Sequence, residues 1–293
     1  MTEEKKFAGT MRVMTEADIP FGMKLKTITK WNQLPADWKR FIDLEPQGCF
    51  IAVDESGEDV GTVSTTTYGT KLAWIGMVLV PPEKRRMGIG TALLKASMQY
   101  CVDKKIEVVG LDATPMGNKL YLTLGFGCDF ALERRQGIGP VGQTFLSASK
   151  GVTKMESADL SALAAFDAPI FGVPRPNVLS LLYKDYPELC WVARKGEKIT
   201  GYVMMRPGFN AHQIGPWIAE DAATAEELFK TALNAAPGKP IFFDIVAPNE
   251  SAMALAKNYS FELQRPFVRM FLGKNKYPAD TNRMFAISGV EKG

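Results

Sequence analysis

Val78-Leu79-Val80-Pro81-Pro82-Glu83-Lys84-Arg85-Arg86-Met87-Gly88-Ile89-Gly90-Thr91 is the stretch whose reading decides the fold. An apolar strand from Trp74 to Val80 runs into two prolines, and a basic, glycine-punctuated turn leads into a helix. On that helix Leu93/Leu94, Ser97/Met98 and Cys101/Val102 recur every four residues, which predicts one buried stripe. A helix start carries unpaired backbone N–H groups and about half a positive charge. Gly88 and Gly90 have no Cβ, so an anion can reach those groups, and Arg85 and Arg86 add full charges beside them. A P-loop would need G-x-x-x-x-G-K-[ST] and a dinucleotide turn G-x-G-x-x-G. Gly90 is followed by Thr91-Ala92-Leu93, which fits neither. The stretch reads as a pyrophosphate cradle of another kind.

Downstream, Val108-Val109-Gly110-Leu111-Asp112-Ala113 reads as a short buried strand. Thr114-Pro115-Met116-Gly117-Asn118-Lys119-Leu120-Tyr121 then opens a short helix that ends at Gly125-Phe126. R-x-x-G-x-G after a V-x-V-x-P strand, followed by a Tyr-bearing helix and a Gly-Phe pair, resembles the GCN5-related N-acetyltransferases (GNAT). The resemblance implies that acetyl-CoA lies along Met77, Val78, Leu79 and Val80. It implies that the diphosphate sits on Arg85, Arg86, Met87, Gly88, Ile89, Gly90 and Thr91, with Thr114 nearby and no metal. Thr114 stands where the family usually has Asn, and Gly117 where Ala is common.

At 293 residues the chain is long enough for two domains. The first half reads as strand, two helices, a three-strand meander, the cradle helix, a strand, the Tyr121 helix and a strand at 128–133. Gln136-Gly137-Ile138-Gly139-Pro140-Val141-Gly142 reads as a loop or linker. The second half repeats the order. Counting back from Phe126 and Phe261 aligns Asn249 with Thr114, Ala252 with Gly117 and Ala256 with Tyr121. The segment 213–221 stands where the cradle should be, without G-x-G or an Arg pair and with Glu220 and Asp221. The expected fold is therefore α/β: two tandem GNAT-like domains, residues 1–146 catalytic and 147–293 degenerate, each a mixed, mostly antiparallel sheet flanked by helices.

Net charge is +3, and each half is close to neutral, which argues against nucleic-acid or membrane partners. No membrane span or secretory leader is evident, so a cytoplasmic setting is expected. Four scattered cysteines include no C-x-x-C pair, and Cys49, Cys101 and Cys128 read as core filler. A single histidine, His212, rules out a multi-histidine metal site.

Acetyl transfer from a thioester needs a neutral amine, a donor for the carbonyl oxygen and a proton for the departing thiolate. The resemblance gives the second need to the strand amides of Met77, Val78 and Val80, just after Gly76, and the third to Tyr121. The strand holds no acid, so Asp112, Glu45 and Asp43 are the candidate bases. Trp31 and Asn32, with Gln33, Asp37 and Trp38, are candidates for the acceptor pocket, as is Asp112. The expected function is transfer of acetyl from acetyl-CoA to a small-molecule amine, with a homodimer permitted. The alternative is a CoA or acyl-CoA sensor with little turnover; a tRNA-dependent transferase ranks third.

Overall fold

The computed structural model describes residues 6–141 and 151–293; the expected boundary at 146/147 lies outside the described residues. In the first half, β1 (Thr10–Val13), β2 (Phe50–Val53), β3 (Asp59–Tyr68) and β4 (Leu72–Leu79) form an antiparallel meander. Helices α1 (Ile19–Ile28) and α2 (Pro35–Leu44) join β1 to β2. Next come α3 (Ile89–Asp103), β5 (Val108–Ala113), α4 (Pro115–Thr123) and β6 (Phe126–Ile138). The second half runs β7 (Val152–Lys154), α5 (Leu160–Phe171), α6 (Pro176–Asp185), β8 (Cys190–Lys195), β9 (Lys198–Arg206) and β10 (His212–Ala219). It ends with α7 (Ala222–Asn234), β11 (Pro240–Val246), α8 (Glu250–Asn258), β12 (Glu262–Leu272) and β13 (Met284–Ala286).

Both halves share one sheet, ordered β1-β2-β3-β4-β5-β12-β6-β11-β10-β9-β8-β7, with β13 beside β10. Pairing is antiparallel except at β4/β5 and β10/β11, whose helical crossovers require parallel strands. The halves exchange strands: β12 of the second pairs with β5 of the first, and β6 of the first pairs with β11 of the second. Two buried ion pairs lock the exchange. Arg269 on β12 grips Asp112 on β5 through two bonds of 2.9 Å, and Arg134 on β6 grips Asp244 on β11 at 2.7 and 2.9 Å.

Three sequence expectations change here. Gln136, Gly137 and Ile138 belong to β6, because neighbours on both sides carry the strand on; a Cβ at Gly137 would meet the Phe261 ring at 2.7 Å. Cys128 is exposed, since β6 turns that residue outward. On α3, Leu93, Leu94, Ser97 and Cys101 are buried, but Val102 is 66% exposed and lies outside the stripe. That stripe packs on the sheet face carrying Val63, Ala73 and Ile75. Trp38 and Phe41 of α2 cover the other face at Ile51, Met77 and Leu79.

Candidate active site

β5 pairs with β4 only through Leu72–Trp74. Beyond Trp74 the strands part, and the β5-facing edge of β4 at Met77, Val78 and Leu79 has no neighbouring strand among the described residues. A bulge shapes this edge: β3 advances from Thr62 to Ser64 while β4 covers Leu79 to Gly76. Met77 takes φ 50°, and the Thr62 hydroxyl donates to its carbonyl at 2.9 Å. The edge of β4 at Met77–Leu79 is thus left without a strand partner on a strand pinned from its β3 side.

The chain then makes a short turn at Pro82–Lys84, with the Arg85 Nε donating to the Val80 carbonyl at 3.2 Å. Arg86 (φ 64°) and Gly88 (φ 79°) are both left-handed and swing the backbone into α3. The first ladder bond runs from the Ala92 N–H to the Gly88 carbonyl at 3.0 Å, so the amides of Gly88, Ile89 and Gly90 precede the ladder and open the helix toward solvent. Arg86 and Met87 are exposed at this opening. Lys84 is drawn aside by Asp54 and Glu58, at 2.9 and 3.1 Å.

Tyr121 lies on α4, its ring centroid 6.3 Å from that of Phe126. A Cβ at Gly117 would come within 2.8 Å of the ring and 3.1 Å of the phenol oxygen, so the glycine lets the phenol lie back along the helix. Burial pushes the phenol up to about 12. The Thr114 hydroxyl accepts from the Gly117 N–H at 3.3 Å and caps the helix.

The second half shows the same frame closed. β10 pairs with β11 only over His212–Ile214 and then parts from it. The segment 213–219 is thus the counterpart of β4, a correction to its reading as the cradle. Here β13 fills the gap, Met284 and Ala286 pairing with Ile218 and Trp217. The Asn249 amide donates to the carbonyls of Asn282 and Met284, both at 3.1 Å, while its oxygen caps α8. α7 begins right after β10, and the Asp221 carboxylate accepts from the Thr224 N–H at 2.7 Å. Its own acid occupies the end where an anion would sit. Residues 163–286 match the family model described as an acetyltransferase (GNAT) domain, and residues 17–126 the model of the acetyltransferase (GNAT) family.

The chain belongs to the GNAT family, with two such domains in tandem, and is an acyltransferase. It is similar to the holothin acyltransferase of Pseudoalteromonas sp. (strain SANK 73390), with 27% identity over 90% of this chain and 87% of the relative. A putative acetyltransferase from Pyrococcus horikoshii shares the fold at a TM-score of 0.81 and 21% identity, covering 100% of this chain and 99% of that one. A tandem GNAT protein from the clavulanic acid biosynthesis pathway superposes at 0.64 and 12% identity, over 90% and 98%.

In this GNAT, three of the residues predicted to meet the acceptor, Trp31, Asn32 and Asp112, lie where the two halves touch. The Asn32 amide donates to the Ala211 carbonyl at 2.9 Å and accepts from the amides of Asn210 and Ala211 at 2.8 and 3.1 Å. Trp31 packs, partly buried, where two cores meet. Asp112 is committed to Arg269, whose guanidinium lies 4.4 Å from the Trp74 ring; burial lifts its carboxyl to about 6 despite the arginine. Glu45 is buried and held by Thr67, Tyr100 and Lys104, while Asp43 pairs on the surface with Lys39 at 2.8 Å. Neither faces the β4 gap with a free carboxylate.

Sequence reading missed the segment 287–293, which crosses from the second half to β4. The Trp74 indole donates to the Val290 carbonyl at 3.2 Å, and Tyr68 donates to the carbonyl of Lys292. A Cβ at Gly76 would stand 2.5 Å from the Glu291 carbonyl oxygen. Gly76 therefore serves a close backbone approach, and that lone glycine in a bulky strand was the available signal.

Proposed function

We propose that the first half moves an acetyl group directly from acetyl-CoA to the amine of a small molecule, while the second half binds no cofactor. One observation carries this reading: β4 opens beside a glycine-started, arginine-flanked helix in the first half, and β13 and Asp221 close both features in the second. The donor set fits CoA, with the amides of Met77–Val80 along the pantetheine and those of Gly88–Gly90, with Arg85 and Arg86, at the diphosphate. No helix among the described residues is long and apolar enough to cross a membrane.

Acetyl-CoA supplies the activated carbonyl. The amine nitrogen forms a bond to that carbon, the carbon–sulfur bond breaks, and the sulfur leaves with its electron pair. The β4 amides stabilise charge growing on the carbonyl oxygen. Tyr121 donates its O–H to the sulfur and recovers a proton from the acylated nitrogen through water.

Free thiol release from acetyl-CoA with a panel of amines tests the reading; saturable binding without release would replace it with a sensor. Because burial raises the Tyr121 phenol above its ordinary value of 10 to about 12, the proton donor stays loaded at every working pH. Turnover is expected to rise with pH through the pKa of the acceptor amine, with no fall from loss of the Tyr121 proton until the pH nears 12, as rate profiles would show. Arg86→Ala is expected to weaken CoA binding about tenfold, as loss of one charge-assisted phosphate contact does. Titration at rising salt should shrink that loss, with kcat unchanged.

A further inference from the structure

α3 packs on one face of β4, so the face left for an acceptor is the other one, and residues 288–293 already lie there. Ser64 opposes Gly76 and Thr66 opposes Trp74; opposed residues share a face, so both hydroxyls lie on the side where this segment packs. The segment is folded on itself, with N–H bonds from Lys292 and Gly293 to the Gly289 carbonyl, each 3.0 Å. It presents the Glu291 carboxylate and the Lys292 ammonium side by side at 2.5 Å. Both are buried, at 1% and 0% exposure.

The lining does not match this occupant. The Ser64 and Thr66 hydroxyls, the Gln33 Oε1 and the Arg206 Nε are buried with no hydrogen-bond partner. Arg206 reaches Glu291 only at 3.6 Å through Nη2, and Gln33 reaches it at 3.3 Å. A guanidinium offers Nε and Nη2 as a fork to one carboxylate; here half the fork is unused and the other half is stretched. A permanent wall would leave fewer such atoms unmatched.

Resting on the acetyl-transfer reading above, we propose that residues 288–293 are an internal, exchangeable occupant of the acceptor site, and that the acceptor is an amine bearing a carboxylate, which takes the place of Glu291 on Arg206 and Gln33. The Glu291–Lys292 pair holds the position of such a zwitterion. Ser64 and Thr66 then complete the polar lining around it.

The test uses the full chain with acetyl-CoA and paired probes, β-alanine against β-alaninamide and lysine against lysinamide. Thiol release is expected to give a kcat/KM at least about tenfold higher for the carboxylate member of each pair, a free-energy difference that one charged contact supplies. Glu291→Gln, which weakens the internal competitor, is expected to lower its KM about fivefold. Thr66→Val removes a hydroxyl that bonds to nothing, so it should fold normally and raise that KM severalfold. Hydrogen exchange gives a readout independent of turnover: the carboxylate amines, but not the amides, should speed exchange at 289–293 in the presence of CoA. Equal kcat/KM within pairs, with 289–293 unchanged by every amine, would overturn the proposal and leave acyl transfer standing. Faster exchange with the carboxylate amines but no thiol release would overturn acyl transfer, and the acceptor role with it, and leave only a carboxylate site that displaces 289–293.

Discussion

Tyr121→Phe is expected to lower kcat about a hundredfold, the range that a positioned general acid contributes, while the affinity for CoA stays within twofold of its starting value. The substitution keeps the ring, so the contact with Phe126 survives and only the O–H is lost. Isothermal titration with CoA and thiol-release kinetics separate the two effects. Unchanged kcat would remove Tyr121 from the chemistry. Gly117→Ala is the companion: its methyl would sit 2.8 Å from the ring, so it should displace the phenol and reproduce part of the loss with every hydroxyl still present. Loss in both variants would locate the effect in the position of the O–H. Loss in Gly117→Ala alone would instead point to distortion of α4.

The run from Val78 to Thr91 made the first half legible because each of its parts answers a local demand. Prolines end the strand, a left-handed Gly88 turns the chain, and the stripe on α3 buries Leu93 and Leu94. The second half was legible in order, since Asn249 and Thr114 both cap the helix after the last parallel strand. Strand exchange was not legible, because alternation in β6 or β12 specifies a face and not a neighbour. The sequence did hold a hint: Phe267-Val268-Arg269-Met270-Phe271 places an arginine within an apolar strand, and a buried guanidinium demands a buried acid. β13 has three residues, too few for any period to show. Segment 287–293 meets β3 and β4 through its backbone carbonyls, which any sequence carries. Asn32 and Asp112 were picked for side-chain chemistry, and that same chemistry serves the seam between the halves.

That seam carries the second large effect. Arg269→Leu leaves the Asp112 carboxylate buried without its partner, and removing one member of a buried pair costs about 3–5 kcal/mol. Asp112 and Arg269 have side chains 0% and 3% exposed, so water cannot replace the lost bonds. Chemical denaturation should show the midpoint falling at unchanged slope if the sheet still forms as one unit. The loss should depend on pH. In the native chain the Asp112 carboxyl already sits at about 6, above its ordinary 3.8, because burial outweighs Arg269. A folded-state value above the unfolded one favours the protonated form, so this contribution is complete below pH 4 and vanishes as pH rises through 6. Without Arg269 the carboxyl rises further, and the defect should be small near pH 4 and full at pH 8. Replacing both residues, Asp112→Leu with Arg269→Met, should restore most of the stability, because no charge then lies buried. A defect independent of pH, or a double variant no better than the single, would show that the exchanged strands are held by packing and not by this pair. If instead the defect follows pH, the first half depends on a strand lent by its neighbour. The second domain would then be kept for β12 and the segment 287–293 that it places against β4.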